Sequence, residues 1–533
     1  MFLKKLKFCV WGAILLCESV VLLHGLAFAG PDFKVRGEWI VGFALGDGNL
    51  ARKSNGHNLT VNDDRFGASQ RIRLQLDAIA SENLFGKVFF EIGNQTWGQN
   101  ATGGALGADG VVVEIKQAYL DWIVPDTDLK LRMGLQPITL PNGAGGSAVL
   151  DTDAAAIVAN YQFNDNIDLT MSWIRPLNDN FAGWTYGNTP TRYGAHYLDN
   201  LDLFSLALPL NFDGISLTPW IMYGILGEYA LNGFGGEEHF QHNSASRNFN
   251  QPAWYTKHGE FGTSLTNWHN AFSTVNGGKL GETSRSYSSM FWAGLPIKIS
   301  FWDPLNIELD LNYGFVESMG RFDVRKRNSV VQRASSQREG WVVKALIEYK
   351  MDWGVPGLFG WYASGDDGNI KNGSERIPSV LGRATFTTFS GYGGIDWAAK
   401  RGMAEWRADY SGTWGIGLQL RDVSLLEDLN HTFRAVWWGG TNSLDMIKYM
   451  KCCSAWNEGG SENPYLTTLD NMLEFNLDTK WKLYENLSLH LDLGYIVNMI
   501  DTDSWRRSWM EEESLDMEKQ DAWKAQLSFV YSF

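Results

Sequence analysis

The chain has 533 residues, 14% aromatic side chains, only 14 prolines and a formal net charge of −15. A balance this acidic argues against nucleic acid as a partner. After residue 30 there is no continuous apolar run of about 20 residues, so no transmembrane helix is predicted. A soluble exported protein and a membrane β-barrel both remain, and the many aromatic residues and glycines with few prolines favour the barrel.

The first 29 residues have the three parts of a secretory signal peptide. A lysine-rich start precedes an apolar run, and Ala27-Phe28-Ala29 forms a small-x-small cleavage site. The apolar run is interrupted by Glu18 and is short for a membrane anchor. We therefore predict a signal peptide over 1–29 and one mature domain over 30–533. The mature charge is about −17, because the signal carries three lysines and one glutamate.

Strict alternation of apolar and polar residues recurs along the mature chain, as in β-strands. Over residues 70–78, for example, Ile72, Leu74, Leu76 and Ala78 alternate with Arg71, Arg73, Gln75 and Asp77. A soluble sandwich gives the same pattern with its apolar face inward. We favour a membrane barrel because such segments are many, their polar faces carry charge, and aromatic residues gather at their ends, as at bilayer interfaces.

Eighteen segments qualify as strands: 33–45, 67–80, 86–97, 111–123, 128–135, 157–163, 167–176, 199–210, 216–225, 289–301, 305–317, 339–350, 355–364, 412–422, 431–440, 470–482, 487–499 and 523–533. Their connections alternate between short turns rich in Asp, Asn and Pro and long loops such as 226–288, 365–411 and 441–469. Bacterial barrels alternate short periplasmic turns with long outer loops in this way. The sequence predicts an all-β transmembrane antiparallel barrel of 18 strands, with 16 as the alternative.

The last segment predicts how the barrel closes. Its apolar positions, from Trp523 to Phe533, share one face and alternate with polar residues. An amphipathic final strand with a C-terminal Phe resembles the signal by which outer-membrane barrels are recognised for insertion. This strand must pair with 33–45, because a barrel leaves no strand edge unpaired.

The third outer loop, 136–156, predicts a constriction. It is rich in glycine and has no lysine or arginine, so it can fold into the lumen, and its carboxylates are Asp151 and Asp153. The neighbouring strands carry cations on the predicted lumen face, namely Arg71, Arg73, Lys116, Lys130 and Arg132. A basic wall facing an acidic loop would set a transverse field across the channel. Alternatively, these cations pair with lumen neighbours such as Glu91 and Glu114 and only line the wall.

No catalytic or cofactor motif is evident. His490 and Ser488 share a strand face, but no third catalytic partner is evident, so we predict no enzyme activity. The run 511–513 of three glutamates is a candidate Ca²⁺ ligand set together with other segments, but we favour a solvated charge run. The adjacent Cys452 and Cys453 form no disulfide framework and are a poor metal site alone. We predict no resident cofactor.

Several segments resemble the outer-membrane homotrimeric porins of sulfate-reducing bacteria. They are residues 33–39, 71–78, 88–97, 104–110, 118–122, 140–142 and 197–200, and the similarity is dense through residue 225 and returns at the C-terminus. The resemblance implies a homotrimeric general-diffusion channel in a Gram-negative outer membrane, in contact with lipid and lipopolysaccharide. It carries over no site residues.

The predicted function is passive diffusion of ions and small hydrophilic solutes through a water-filled pore. One alternative is a substrate-selective channel for anions or sugars, although no ladder of lumen-facing aromatic residues, which would favour sugars, is evident in the sequence. The other is a structural or adhesive barrel that binds a partner through its long acidic loops.

Overall fold

The computed structural model describes residues 31–48, 50–53, 65–99, 103–107, 113–178, 185–186, 189–190, 200–227, 275, 287–327, 330–387, 410–450, 465–506 and 517–533. The predicted signal peptide, the glutamate run 511–513 and the pair Cys452 and Cys453 therefore lie outside the described residues.

Eighteen strands form one antiparallel sheet in which each strand pairs with its neighbours in the chain. They are β1 Asp32–Asp47, β2 Arg65–Ser81, β3 Leu84–Thr96, β4 Val113–Ile123, β5 Leu129–Thr139, β6 Asp151–Asn164, β7 Ile167–Asn178, β8 Asn200–Ala207, β9 Trp220–Gly227, β10 Tyr287–Ile299, β11 Leu305–Val316, β12 Arg338–Tyr349, β13 Val355–Ala363, β14 Thr413–Leu426, β15 Leu429–Gly440, β16 Asn471–Tyr484, β17 Leu487–Met499 and β18 Ala522–Ser532. Every predicted strand is present, so the count of 18 is confirmed.

Shorter elements lie at the strand ends. Leu210–Phe212 and Ile215–Leu217 continue β8 and β9, and small strand pairs join Ala51–Lys53 to Met517–Lys519, Thr185–Tyr186 to Thr189–Pro190 and Arg321–Arg325 to Val331–Ser335. The described helices are the 3-10 helix Leu444–Tyr449 and the α-helix Thr502–Arg506. None of the helices in the described ranges has the length and apolar character needed to cross a bilayer.

The sheet closes through its first and last strands. β1 pairs with β18 in a register that runs from Glu38 opposite Ser532 to Asp47 opposite Trp523. Beyond this ladder, the Gly37 N–H donates to the Phe533 carbonyl at 2.8 Å and the Phe533 N–H donates back at 3.0 Å. The predicted closure is confirmed, and it satisfies the backbone groups that an open edge would leave unpaired.

The two faces of the barrel wall differ as the alternation predicts. Large apolar side chains point outward on successive strands and are well exposed, as at Phe33 (61%) and Leu418 (64%). Polar and charged side chains occupy many of the alternate, inward positions, as at Glu91 and Asp121. A contiguous apolar belt of this size is rare on soluble proteins and matches the lipid-facing surface of a membrane barrel.

Short turns join the strands at one end of the barrel. In the two-residue turn between β14 and β15, Asp428 adopts a φ of 63°. Asp tolerates this left-handed conformation because its short polar side chain forms local hydrogen bonds. The strand ends that lead into the long connections lie at the opposite end, so the predicted alternation of short turns and long loops is confirmed.

The buried core lies inside the barrel, against one side of the wall. Inward side chains of four successive strands, Ile174, Leu203, Met222 and Trp292, are fully buried. The segment 364–387, which follows β13, folds down over them, and the Trp292 indole N–H donates to the Pro378 carbonyl at 3.0 Å. The lumen is therefore filled by packed chain on this side of the barrel.

The third long loop also folds into the barrel, as predicted. The Val380 and Thr385 N–H groups donate to the Val149 and Gly145 carbonyls, both at 2.9 Å, and Leu150 pairs with Leu381. The predicted bounds of 136–156 were too wide, because β5 extends to residue 139 and β6 begins at 151. We refer to residues 140–150 as the inserted loop; it contains no charged side chain.

Candidate functional site

Cations line the inward face of β2 to β5 at the positions predicted from the sequence. The Arg73 guanidinium lies 2.9 Å from Glu91 and 3.2 Å from Glu38. Arg71 is buried on the same face of β2, opposite Gly93. The Lys116 ammonium lies 3.8 Å from Glu91, so this one buried carboxylate forms ion pairs with both Arg73 and Lys116. The predicted residues of β2 and β4 are thus brought together.

A second group lies on β4 and β5. Arg132 donates to both carboxylate oxygens of Asp121, at 2.6 and 2.7 Å, and the Lys130 ammonium lies 3.7 Å away. Asp121 is fully buried. The Arg132 guanidinium also lies 4.4 Å from the centre of the Tyr119 ring. Two-pronged Arg–carboxylate pairs stacked on an aromatic ring are geometrically well defined, so this group is a fixed part of the wall.

Asp151 and Asp153 are not in the inserted loop. Both belong to β6, where Thr152 lies between them and the buried Ala154 follows Asp153. The Asp153 carboxylate accepts a hydrogen bond from Gln117 at 2.8 Å and lies 3.5 Å from the Lys116 ammonium. The prediction that an acidic loop faces the basic wall therefore needs correction, because the carboxylates lie on a strand beside the wall. Whether the seven predicted residues form the narrowest point stays a prediction.

The pairing weakens the field that the wall can exert. Four of the predicted cations, Arg73, Lys116, Lys130 and Arg132, lie within 4 Å of carboxylates. Those carboxylates belong to Glu38, Glu91, Asp121 and Asp153. Opposite charges at such distances largely cancel at longer range. The arrangement favours the alternative in which the lumen charges pair with one another.

The sequence did not single out a second charged region, on β15 to β18. Arg434 donates to Asp478 at 2.7 Å, and Asp478 lies opposite Asp492 on the next strand. Asp492 in turn accepts a hydrogen bond from Gln526 at 3.3 Å. The polar positions of the alternation already predicted inward side chains here, but they did not show which residues face one another.

His490 and Ser488 do contact each other, on the inward face of β17. Their side chains lie 2.9 Å apart. The strand register places Lys480, and not a carboxylate, opposite His490. A serine and a histidine without an acidic orienting group lack the usual third member of a hydrolase triad.

Aromatic side chains lie inside the barrel, where none was predicted. Phe359 and Trp361 point inward from β13 and stack on Phe386 of the segment 364–387, with ring centres 4.6 and 5.8 Å apart. The Tyr410 ring lies 5.4 Å from Trp361. All four rings are buried. They therefore pack the inserted loop and the segment 364–387, together the two inserted segments, against the wall and do not offer a stacking surface to a sugar in the pore.

The segment 364–387 contains a group of three acidic residues, Asp366, Asp367 and Glu375. Glu375 accepts hydrogen bonds from the Asp367 N–H at 3.0 Å and from the Asn372 side chain at 2.9 Å. Burial, and then the nearby charges of Asp366 and Asp367, raise the pKa of Glu375 to about 7. Within the described ranges, no three His, Cys, Asp or Glu side chains converge in a way that would hold a metal ion.

Comparison with known proteins finds similarity in solved structures only. No family model and no curated protein sequence matches the chain. OccK11 (OpdR) of Pseudomonas aeruginosa shares 10% identity at a TM-score of 0.46, over 95% of this chain and 97% of that one. OccAB2 of Acinetobacter baumannii shares 10% identity at a TM-score of 0.48, over 94% and 98%. OpdQ of Pseudomonas aeruginosa shares 11% identity at a TM-score of 0.47, over 94% and 98%.

Proposed function

We propose that this chain forms a water-filled channel in a Gram-negative outer membrane, through which ions and small hydrophilic solutes diffuse passively. The observation that carries the proposal is the closed 18-stranded wall with an apolar outward face and a charged inward face. A barrel of this strand number is too wide for its wall side chains to fill. Charged side chains on its inner face are stable only where water or partners solvate them.

The two inserted segments support a channel of restricted width. They fill the side of the lumen next to β7–β13, whereas the charged groups on β2–β5 and β15–β18 line the remaining side. Because most of those charges are paired, we propose general diffusion of small solutes in preference to strong selectivity for one sign of charge.

The proposal includes assembly and delivery. We propose that the mature chain begins after the signal peptide 1–29 and forms a homotrimer surrounded by lipid and lipopolysaccharide. The sequence resemblance to homotrimeric porins supports the trimer, and the apolar outward belt supports the membrane location. A passive channel needs no cofactor and no catalytic group, and we propose neither.

Liposome swelling tests the proposal and its alternatives. Proteoliposomes placed in isotonic solutions of neutral sugars of increasing size should swell at rates that fall smoothly with solute size. Swelling that saturates with one solute class would indicate a selective channel. Liposomes that do not swell in any small solute, with folded protein shown to be inserted, would refute the channel and favour the adhesive barrel.

A further inference from the structure

One lysine is completely buried inside the barrel. Lys344 points inward from β12, and neither its side chain nor that of Asp310 on β11 is exposed. The Lys344 ammonium lies 2.8 Å from the Asp310 carboxylate. A buried ammonium is costly unless its charge and its N–H groups are satisfied. The Lys344 ammonium therefore needs further partners beside Asp310.

Those partners are a carbonyl of the inserted loop and the ring of Tyr410, which lies just before β14. The Lys344 ammonium donates to the Gly146 carbonyl and lies 5.3 Å from the centre of the Tyr410 ring. The Tyr410 hydroxyl donates to the neighbouring Gly145 carbonyl. Both glycines have a φ of 80°, and a Cβ at Gly145 would lie 2.5 Å from the Tyr410 oxygen. The loop is thus held by its backbone, at two residues where side chains would not fit.

This contact joins two separate parts of the barrel wall. The inserted loop leaves the wall at β5 and returns at β6, whereas Lys344 lies on β12, several strands away around the barrel. Gly143 of the same loop lies against the Leu309 carbonyl and the Asp310 side chain of β11. The loop must therefore extend through the interior, and Lys344 provides a charged link between its tip and the wall six strands away.

We propose that Lys344 is a positioning residue that sets the width of the channel by holding the inserted loop across the lumen. This inference rests on the proposed channel function. Because the loop has no charged side chain and the Lys344 and Asp310 charges compensate each other, releasing it should change the size of the pore and leave its charge preference unaltered. Removing a charge that merely lined the pore would instead shift the reversal potential.

The variant K344M/D310N removes both charges together, so no unpaired charge is left buried. Single-channel conductance should rise about two-fold or more, since the released loop no longer narrows the pore by the thickness of one chain segment, about 5 Å. The reversal potential in a salt gradient should stay as in the wild type. The matched control is K298M/E308Q, which removes a 3.2 Å ion pair between β10 and β11 that touches neither inserted segment. Its conductance should equal that of the wild type.

Two further variants separate loop position from charge and from misfolding. G145A leaves Lys344 and Asp310 intact but pushes the loop away from Tyr410, and it should raise the conductance in the same direction. Adding a disulfide between L150C and L381C, which pair directly, to K344M/D310N should return the conductance to the wild-type value until reductant is added.

Unchanged conductance in both K344M/D310N and G145A, beside a conducting wild type, would overturn the role of Lys344. A rise accompanied by a shifted reversal potential and no rescue by the disulfide would also overturn it, because the charge and not the loop would then be responsible. A wild-type protein that inserts and does not conduct would refute the proposed function itself, and with it any role of Lys344 in setting a width.

Discussion

Replacing Gly415 by alanine adds one methyl group inside the barrel, under the buried aromatic rings. Gly415 faces inward on β14, directly opposite Trp361 of β13. A Cβ there would lie 2.3 Å from the Trp361 ring, well inside the 3.0 Å that real Cβ contacts respect. The ring would have to move, and it is already packed against Phe386 and Tyr410.

The expected cost follows from overpacking. Forcing one extra methyl into a well-packed core typically costs about 1–3 kcal/mol. We therefore expect G415A to lower the free energy of unfolding by about that amount. G86A is the control, because a Cβ at Gly86 would meet the flexible tip of Leu120 at 3.2 Å and the Tyr119 carbonyl at an ordinary 3.9 Å. It should have little effect.

Denaturant titration of the refolded barrel in detergent, followed by tryptophan fluorescence and by the heat-dependent shift in electrophoretic mobility, measures both variants. If G415A is as stable as the wild type and as G86A, Trp361 does not pack against β14 beneath the inserted segments. The conclusion that packed chain fills one side of the barrel interior would then be wrong.

Three further predictions concern charge. R71E/R73E should move the reversal potential toward cations, because two cations near Glu91 become anions; an unchanged value would place both residues away from the narrow point. Burial raises the folded-state pKa of Glu375 from 4.5 to about 7, so its contribution to stability is full below about pH 4.5 and is lost as pH rises to about 7, and E375Q should abolish this fall. Equal pH dependence in both proteins would contradict it. D121N should cost about 1.5–3 kcal/mol by removing a buried two-pronged ion pair, whereas D323N, in an exposed pair at 3.4 Å, should cost about 0–1 kcal/mol in the same titration. Equal effects would show that burial does not strengthen the Asp121 pair.

The strands could be predicted because their signal is local and repeated. Alternation over 70–78 or 487–494 fixes which residues face inward, and short turns such as that at Asp428 use residue types that favour tight turns. The first residues of β6, 151–156, were missed because this local signal is weak there. Ala154 and its neighbours are too small to show a difference between an apolar and a polar face.

The packed interior could not be predicted. Ser379 donates to the Val149 carbonyl across 230 residues of sequence, and no local pattern indicates that these segments meet. Phe359 and Trp361 were missed because their strand is apolar on both faces, so alternation gives no contrast. The cations of the wall were predicted, but their ion pairs depend on the strand register, which shifts at a β-bulge next to Phe89.

Planar-bilayer recording of the purified wild-type protein tests the central claim most directly. A trimer of water-filled barrels should insert in steps, each made of three equal conductance levels that scale with salt concentration. Inserted, folded protein that gives no conductance steps in any salt would contradict the account of an open channel.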